Sequence, residues 1–261
     1  MTASPSAVPL QLARGYRLEE VQLIPSTSDA CVARAHAGAE DGLAILALAQ
    51  SAARGSRGRS WSAPLGNLYL SVLLRPRNAA EAGGAGQWAL LAGLAFVEAL
   101  AAFDTEPDLL TVKWPNDVLR DGAKLGGVLV DAGMSPDGLD WLVIGVGGNL
   151  AVAPVVAGRR TAALRSRTDA PPTPRDVAAI FIARIDHWRG LLAQTGFGPI
   201  RAAWLERAHP IGTPITVRDA RGDSMAEGLF AGLSETGELL LSMGATIRAI
   251  STGDVLLGQG G

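Results

Sequence analysis

The chain has 261 residues, a formal net charge of −2, 48% hydrophobic and 18% charged residues, enough apolar content for one large α/β domain with a small appendage. The near-neutral balance and a pI near 5.9 argue against a general nucleic-acid binder. The single cysteine, Cys31, excludes an internal disulfide framework and a multi-cysteine metal site.

In chain order, residues 16–24 alternate as a strand does. Pro25-Ser26-Thr27-Ser28-Asp29 then supplies a helix start before an Ala-rich run. Residues 42–49 are a short apolar run suited to a buried strand. A polar loop at 50–66 leads to a strand at 68–74, and a helix follows at 87–103. The apolar stretch from Trp88 to Phe103 contains Glu98 and is shorter than the ~20 residues a bilayer span requires. With no cationic start and apolar core at the first residues, the expectation is a cytoplasmic protein with no membrane partner. Residues 109–114 and 117–131 read as strands, with Asp121-Gly122 as a tight hairpin turn. A strand at 140–146 runs into Gly147-Gly148-Asn149, and residues 153–173 form an irregular loop. Thr173-Pro174-Arg175-Asp176 opens a helix to about Thr195, and another spans Pro199 to Arg207. Beyond His209-Pro210, TPITVRD, AEGLFAGL, ELLLSM and TIRAI are short strands separated by turns. Hairpin-linked strands with helices in separate blocks predict an α+β fold. A domain of residues 1–209 would be followed by a small all-β domain at 210–261.

Composition points to the chemistry. Of 23 basic residues only Lys113 and Lys124 are lysines, in a chain that otherwise meets surface charge with arginine. Two lysines eleven residues apart suggest positions that need a compact ammonium rather than a planar guanidinium. Lys113, Trp114, Pro115, Asn116 and Asp117 form a strand-end corner. Its Asn116 and Asp117 offer acceptors where Mg²⁺ could meet substrate phosphates. Gly126-Gly127 leaves room for a ligand beside Lys124. Residues 53–61 (ARGSRGRSW) interleave Arg54, Arg57 and Arg59 with glycines, a cationic loop whose guanidinium forks match phosphate and carboxylate oxygens. Read alone, it is equally a solvated basic loop. IGVGGN at 144–149 lacks the third glycine of a dinucleotide fingerprint, since Leu150 stands there and Pro154 follows. No G-x-S-x-G occurs. His36, His187 and His209 are scattered beside helix or loop punctuation, which argues against a catalytic histidine or a zinc site.

Taken in order, QSAARGSRGRSWSAPLGNLYLS, VKWPND, AKLGGVLVD and IGVGGNL resemble the signature blocks of the biotin protein ligases. The resemblance covers nearly the whole chain. It implies a mixed-sheet catalytic domain of the biotin/lipoate ligase type with a small C-terminal β-barrel. The implied reaction is ATP-dependent activation of biotin to biotinyl-5′-AMP, with transfer to a lysine of a biotin carboxyl-carrier protein. With about 15 residues before the first strand, it implies a monofunctional enzyme with no DNA partner; a homodimer is left open. The implied substrates and cofactors are biotin, ATP and Mg²⁺. By resemblance Lys113, Arg54 and Lys124 are catalytic, Lys113 serving the biotin carboxylate and α-phosphate. Ser26, Thr27, Ser28 and Gln50 face the ureido ring. Arg54, Gly55, Ser56, Lys113, Gly126 and Gly127 lie along biotin and adenylate. Arg57, Arg59, Trp61, Asn116 and Asn149 serve ATP, and Asp117 the metal. The chain departs from the family pattern at Ala53 (usually Gly), Ser56 (usually Arg) and Gly148 (usually aliphatic). A lipoate or octanoate transferase of the same superfamily would replace the polar contacts with a long apolar slot. A non-catalytic biotin-binding or carrier-docking protein would tolerate arginine at both lysine positions.

Overall fold

The structure, a computed structural model, describes residues 12–55, 61–136, 138–219 and 221–258. Its elements run β1 (Arg17–Ile24), α1 (Thr27–His36), β2 (Leu43–Gln50), β3 (Leu68–Leu74), α2 (Ala85–Ala101), β4 (Leu110–Lys113), β5 (Asp117–Arg120), β6 (Ala123–Ser135) and β7 (Gly138–Gly148). Then come α3 (Pro174–Thr195), α4 (Gly198–Arg207), β8 (Pro214–Arg218), β9 (Ser224–Leu233), β10 (Leu239–Met243), β11 (Thr246–Ile250) and β12 (Asp254–Leu257).

The first seven strands form one mixed sheet in the order β1-β2-β3-β7-β6-β5-β4. Only β1 and β2 pair in parallel, joined by α1 as the crossover, and the other neighbours are antiparallel. The remaining strands make an antiparallel sheet in the order β11-β10-β9-β8-β12. The α+β expectation therefore holds. The helix starts follow their caps: Ser26 accepts from the Asp29 amide at 3.2 Å and Thr173 from the Asp176 amide at 3.1 Å. Asp121 and Gly122 both have positive φ, 47° and 69°, as a two-residue hairpin turn between β5 and β6 requires. The fifth C-terminal strand, β12, was not legible in the sequence: it is four residues long and pairs only with β8.

Every residue of β3 is buried because the sheet is covered on both faces there. Cys31 and Ala35 of α1 pack with Leu43, Ile45, Leu73, Trp141 and Val143 on one side. On the other, α2 is buried along most of its length and packs with α3 and α4 in the main core. Glu98, the charge inside that apolar stretch, sits at the α2–α3 contact and accepts from the Trp188 indole at 2.9 Å. The C-terminal sheet adds Ile215, Val217, Phe230, Leu239 and Val255 to this same apolar cluster. Phe230 and its neighbours thus seat the second sheet against the first by continuous apolar packing, the dominant favourable term in folding.

The α2 face meets a strip of sheet stripped to backbone. A Cβ on Gly126 or Gly148 would lie 2.6 Å or 2.8 Å from the Phe96 ring, which occupies the volume an aliphatic side chain at 148 would need. Glycine at 148 is thus the partner of phenylalanine at 96. Gly148→Val should cost about 1–3 kcal/mol by overpacking, read as a lowered urea midpoint. Gly148→Val with Phe96→Leu should recover most of the loss, and an unchanged midpoint in the single variant would refute the pairing.

Candidate functional site

A small polar cavity, about 50 Å³, opens where the N-terminus of α1 meets the middle of the first sheet. Ser26, Thr27, Ser28 and Gln50 line it, with Trp61, Asn116, Lys124 and Gly127 opposite. The α1 end is fastened by three hydrogen bonds, to Gln50 of β2 and Ser71 of β3. The Thr27 amide donates to Gln50 Oε1 at 2.7 Å, Ser71 Oγ donates to Thr27 Oγ1 at 2.9 Å, and the Ser28 and Ser71 hydroxyls share a 3.1 Å hydrogen bond. Ser71, on β3, was missed by the sequence reading because alternation along a strand cannot say which hydroxyl meets a helix end from another layer. Tyr69, Leu70, Leu129 and the glycines of β7 are further lining residues that no motif marked. Gly145 leaves space for the Ser28 hydroxyl, and Gly147 for the Trp61 indole.

Lys113 and Lys124 converge on one carboxylate. Asp117 Oδ2 takes the Lys113 ammonium at 3.0 Å and Oδ1 takes that of Lys124. Burial alone would raise the Asp117 carboxyl, but the ammoniums of Lys124 and Lys113 outweigh it and hold the group down to about 2. Burial lowers Lys124, against the pull of Asp117. The Lys124 ammonium also lies 5.3 Å from the Trp61 ring centre, a cation–π distance. A Cβ on Gly127 would come within 3.3 Å of that ammonium, so glycine leaves room for it.

The two lysines differ in the spaces they line. Lys124 lines the polar cavity; Lys113 does not. Lys113 donates to the Val255 carbonyl of β12 at 2.9 Å, and the Trp114 indole donates to the Gly237 carbonyl in the β9–β10 turn at 3.1 Å. Both residues therefore hold the C-terminal sheet. Lys113, Asp117 and Lys124 together line a second, larger cleft of about 570 Å³ between the two sheets, so Lys124 belongs to both spaces.

The other sequence-marked residues divide in the same way. Arg54 and Gly55 line the polar cavity, but the Arg54 guanidinium is ion-paired with Asp29 at 2.6 Å and Asp131 at 3.0 Å. Ser56, Arg57 and Arg59 lie outside the described residues. At the base of that loop Ala53 is buried and its carbonyl accepts from the Trp61 amide at 3.0 Å. Gly126 faces Phe96 rather than the cavity. Asn149 is buried and lines neither space. Its amide donates to the Ala162 carbonyl at 3.0 Å and its oxygen accepts from Asn67 at 3.4 Å, holding the 151–166 segment to the sheet. Asn67 fastens the start of that segment, accepting from the Ala151 and Val152 amides. Asn116 donates to the Val128 carbonyl at 2.6 Å. As for Mg²⁺, Asp117 has both oxygens engaged by lysines, and no group of three or more His, Cys, Asp or Glu side chains among the described residues could hold a metal. These residues do not build a resident metal centre. Nor is any helix of the described residues long and apolar enough to cross a membrane.

Residues 20–149 match the biotin/lipoate A/B protein ligase family, and residues 211–258 the biotin protein ligase C terminal domain. The chain is 35% identical over 219 residues to a biotin--[acetyl-CoA-carboxylase] ligase of Paracoccus denitrificans, covering 82% of this chain and 90% of the relative. The corresponding ligase of Mycobacterium tuberculosis is 32% identical over 250 residues, covering 93% of this chain and 90% of the relative. Among solved structures, the biotin protein ligase of Aquifex aeolicus in complex with biotin and ATP superposes with a TM-score of 0.74 at 25% identity, covering 93% of this chain and 99% of that one.

Because its folded carboxyl titrates near 2, below the ordinary 3.8, Asp117 contributes stability that is fully present above pH 4 and is lost as pH falls through 2. Asp117→Asn should flatten that acid limb of the stability curve by about 2 kcal/mol. It should also lower stability at pH 7, where two buried ammoniums lose their counter-ion. Chemical unfolding from pH 7 to 2 measures both; an acid limb unchanged in the variant would place the titration elsewhere.

Proposed function

Since the chain belongs to the biotin protein ligase family, we propose that it activates biotin with ATP to biotinyl-5′-AMP and passes the biotinyl group to a lysine of a biotin carboxyl-carrier protein. The observation that carries this reading is the place of Lys124. Its ammonium stands between the polar cavity and the cleft, anchored by Asp117 and covered by Trp61.

An acid seated with its carboxylate towards Lys124 brings an anion to an anionic α-phosphate, and like charges repel. An ammonium ~4 Å from each gains about 4 kcal/mol per contact at an effective dielectric near 20, and its favourable position is already fixed before the reaction. The carboxylate oxygen attacks the α-phosphorus, the bond to the bridging oxygen breaks, and its electron pair leaves with diphosphate. The carrier lysine, as the neutral amine, then attacks the acyl carbon and AMP departs. No enzyme nucleophile is needed, so positioning and charge stabilisation suffice. Mg²⁺ enters as part of the nucleotide substrate, held by its phosphates.

At the far end, Ser26, Thr27, Ser28 and Gln50 line the cavity with clustered hydrogen-bonding groups, and Ser71 holds Thr27 and Ser28 from behind. Such a set suits a ureido ring, whose N–H and C=O groups lose water on entry and need partners. An octanoyl or lipoyl chain has no polar groups to offer the set at that end. The cavity is small, about 50 Å³, so Trp61 and the Arg54 ion pairs must shift to admit the acid. The Asp29 and Asp131 contacts are partly exposed and cost little to exchange.

Biotin should drive ATP-dependent diphosphate release at least tenfold faster than lipoate or octanoate supplied at the same concentration. Faster release with either fatty acid would overturn the assignment of substrate. Lys124→Met should lower kcat for adenylation by about 10²–10³-fold, the scale of losing one preorganised charge contact. A rate within tenfold of the unsubstituted enzyme would remove Lys124 from the mechanism.

A further inference from the structure

Behind the polar cavity stands a hydroxyl that the adenylation reading leaves with a packing role only. Ser71 is fully buried in β3 and does not itself line the cavity. It lies on the α1 side of the sheet with Leu73, two residues on, in a layer otherwise filled by Cys31, Leu43 and Ile45. Its oxygen is 2.9 Å from Thr27 Oγ1 and 3.1 Å from Ser28 Oγ. Gly145 of β7 makes room for this contact, since a Cβ there would come 2.5 Å from Ser28 Oγ and 3.4 Å from Ser71 Oγ.

Proton counting gives this row of hydroxyls a direction. A hydroxyl has one proton to donate and lone pairs with which to accept. Ser71 donates its proton to Thr27 Oγ1, so towards Ser28 it can only accept, and Ser28 is the donor of that pair. The Ser28 proton is spent on Ser71, and Ser28 presents lone pairs to the cavity it lines. Thr27 is the reverse: its oxygen accepts from Ser71, and its own proton has no partner among the described residues. Gln50 is oriented by the same logic. The Thr27 amide can only donate, and it takes Gln50 Oε1 at 2.7 Å, which leaves Gln50 Nε2 as a donor. The cavity thus offers donors at Thr27 and Gln50 and an acceptor at Ser28.

We propose that Ser71 is a positioning residue for substrate selection. By fixing the proton order from Ser28 through Ser71 to Thr27, it sets the cavity to take a ring carbonyl flanked by N–H groups and to reject a ring whose carbonyl has become a donor. The identity of the ring as the ureido group of biotin rests on the adenylation reading. In the analogue 2-iminobiotin the C=O is replaced by C=NH₂⁺, a guanidinium at neutral pH, so every nitrogen of that ring donates. Against a Thr27 proton held towards the cavity, donor then meets donor, and buried groups are left unpaired. Without Ser71 both hydroxyls are free to turn. Ser28 can then donate into the cavity and Thr27 can accept, which relieves the analogue and gives biotin nothing.

The test compares biotin with 2-iminobiotin at pH 7, by calorimetric titration and by ATP-dependent diphosphate release, in the full chain and in Ser71→Ala and Ser71→Cys. The unsubstituted chain should bind biotin at least about 100-fold more tightly than the analogue. Ser71→Ala should cut that preference at least about tenfold, and should raise KM for biotin more than it lowers kcat. Ser71→Cys keeps the side chain's place in the layer but donates weakly, so its preference should fall between the two. A packing defect alone weakens both ligands together and leaves their ratio where it was. If Ser71→Ala fails to fold, the ratio in Ser71→Cys decides. The proposal is overturned if the ratio stays within threefold of the unsubstituted chain in every variant that folds. That result with biotin-driven diphosphate release intact removes the role of Ser71 and leaves the adenylation reading standing. A ratio that falls as expected, in a chain that releases no diphosphate with biotin, keeps the role of Ser71 and overturns the adenylation reading instead.

Discussion

A single buried carboxylate, shared by the only two lysines of the chain, organises the site. Asp117 could not stay ionised alone in the interior, because removing a charge from water costs several kcal/mol. Two ammoniums make the anion tolerable, and it does the same for them. The consequence is geometric. Lys113 points towards β12 and Lys124 towards Trp61 and the polar cavity, so one side chain on β5 links the C-terminal sheet to the polar cavity. A planar guanidinium, wider and differently directed than an ammonium, is a poor substitute at either position.

Around this triad the sheet is cut back to backbone wherever an aromatic ring or a hydroxyl must approach. Gly126 and Gly148 take Phe96, Gly147 takes Trp61 and Gly145 takes Ser28. Packing density leaves no room for a second side chain at these positions. The same economy governs the asparagines. Asn67, Asn116 and Asn149 give their amides to backbone groups of neighbouring strands and of the 151–166 segment. A segment without regular structure is thereby held against the sheet, its backbone polar groups satisfied by side chains in place of a ladder. Its Thr161 lies in a parallel bridge with Lys124, which places the loop directly beside that lysine.

The C-terminal sheet is bound to this arrangement by more than apolar contact. Trp114 and Lys113, adjacent in sequence, reach the β9–β10 turn and β12 respectively. Gly237 in that turn has a φ of 90° and comes close to Leu90 of α2, an approach that combines a left-handed turn with the absence of a side chain. A motif that reads as part of a catalytic corner is thus equally an interface between sheets.

Much was legible in the sequence by itself. Periodicity and caps placed most elements, because local chain stiffness and burial patterns act over a few residues. The scarcity of lysine singled out Lys113 and Lys124, and the ordered blocks pointed to the family that the relatives support. What the sequence could not decide is which way each group faces. The resemblance sets Lys113 at the biotin carboxylate and Asn149 at the nucleotide. In the fold Lys113 bonds the β12 backbone and Asp117 and lines the cleft, Asn149 bonds Ala162 and Asn67, and Lys124 alone of the lysines lines the polar cavity. His209, read as loop punctuation, lies at a cleft wall formed by residues more than a hundred positions apart in the chain. Local spacing carries the identity of a group and the element it rides on. Direction and surroundings depend on which strands pair and which faces pack, and those are settled only when distant segments close around one core.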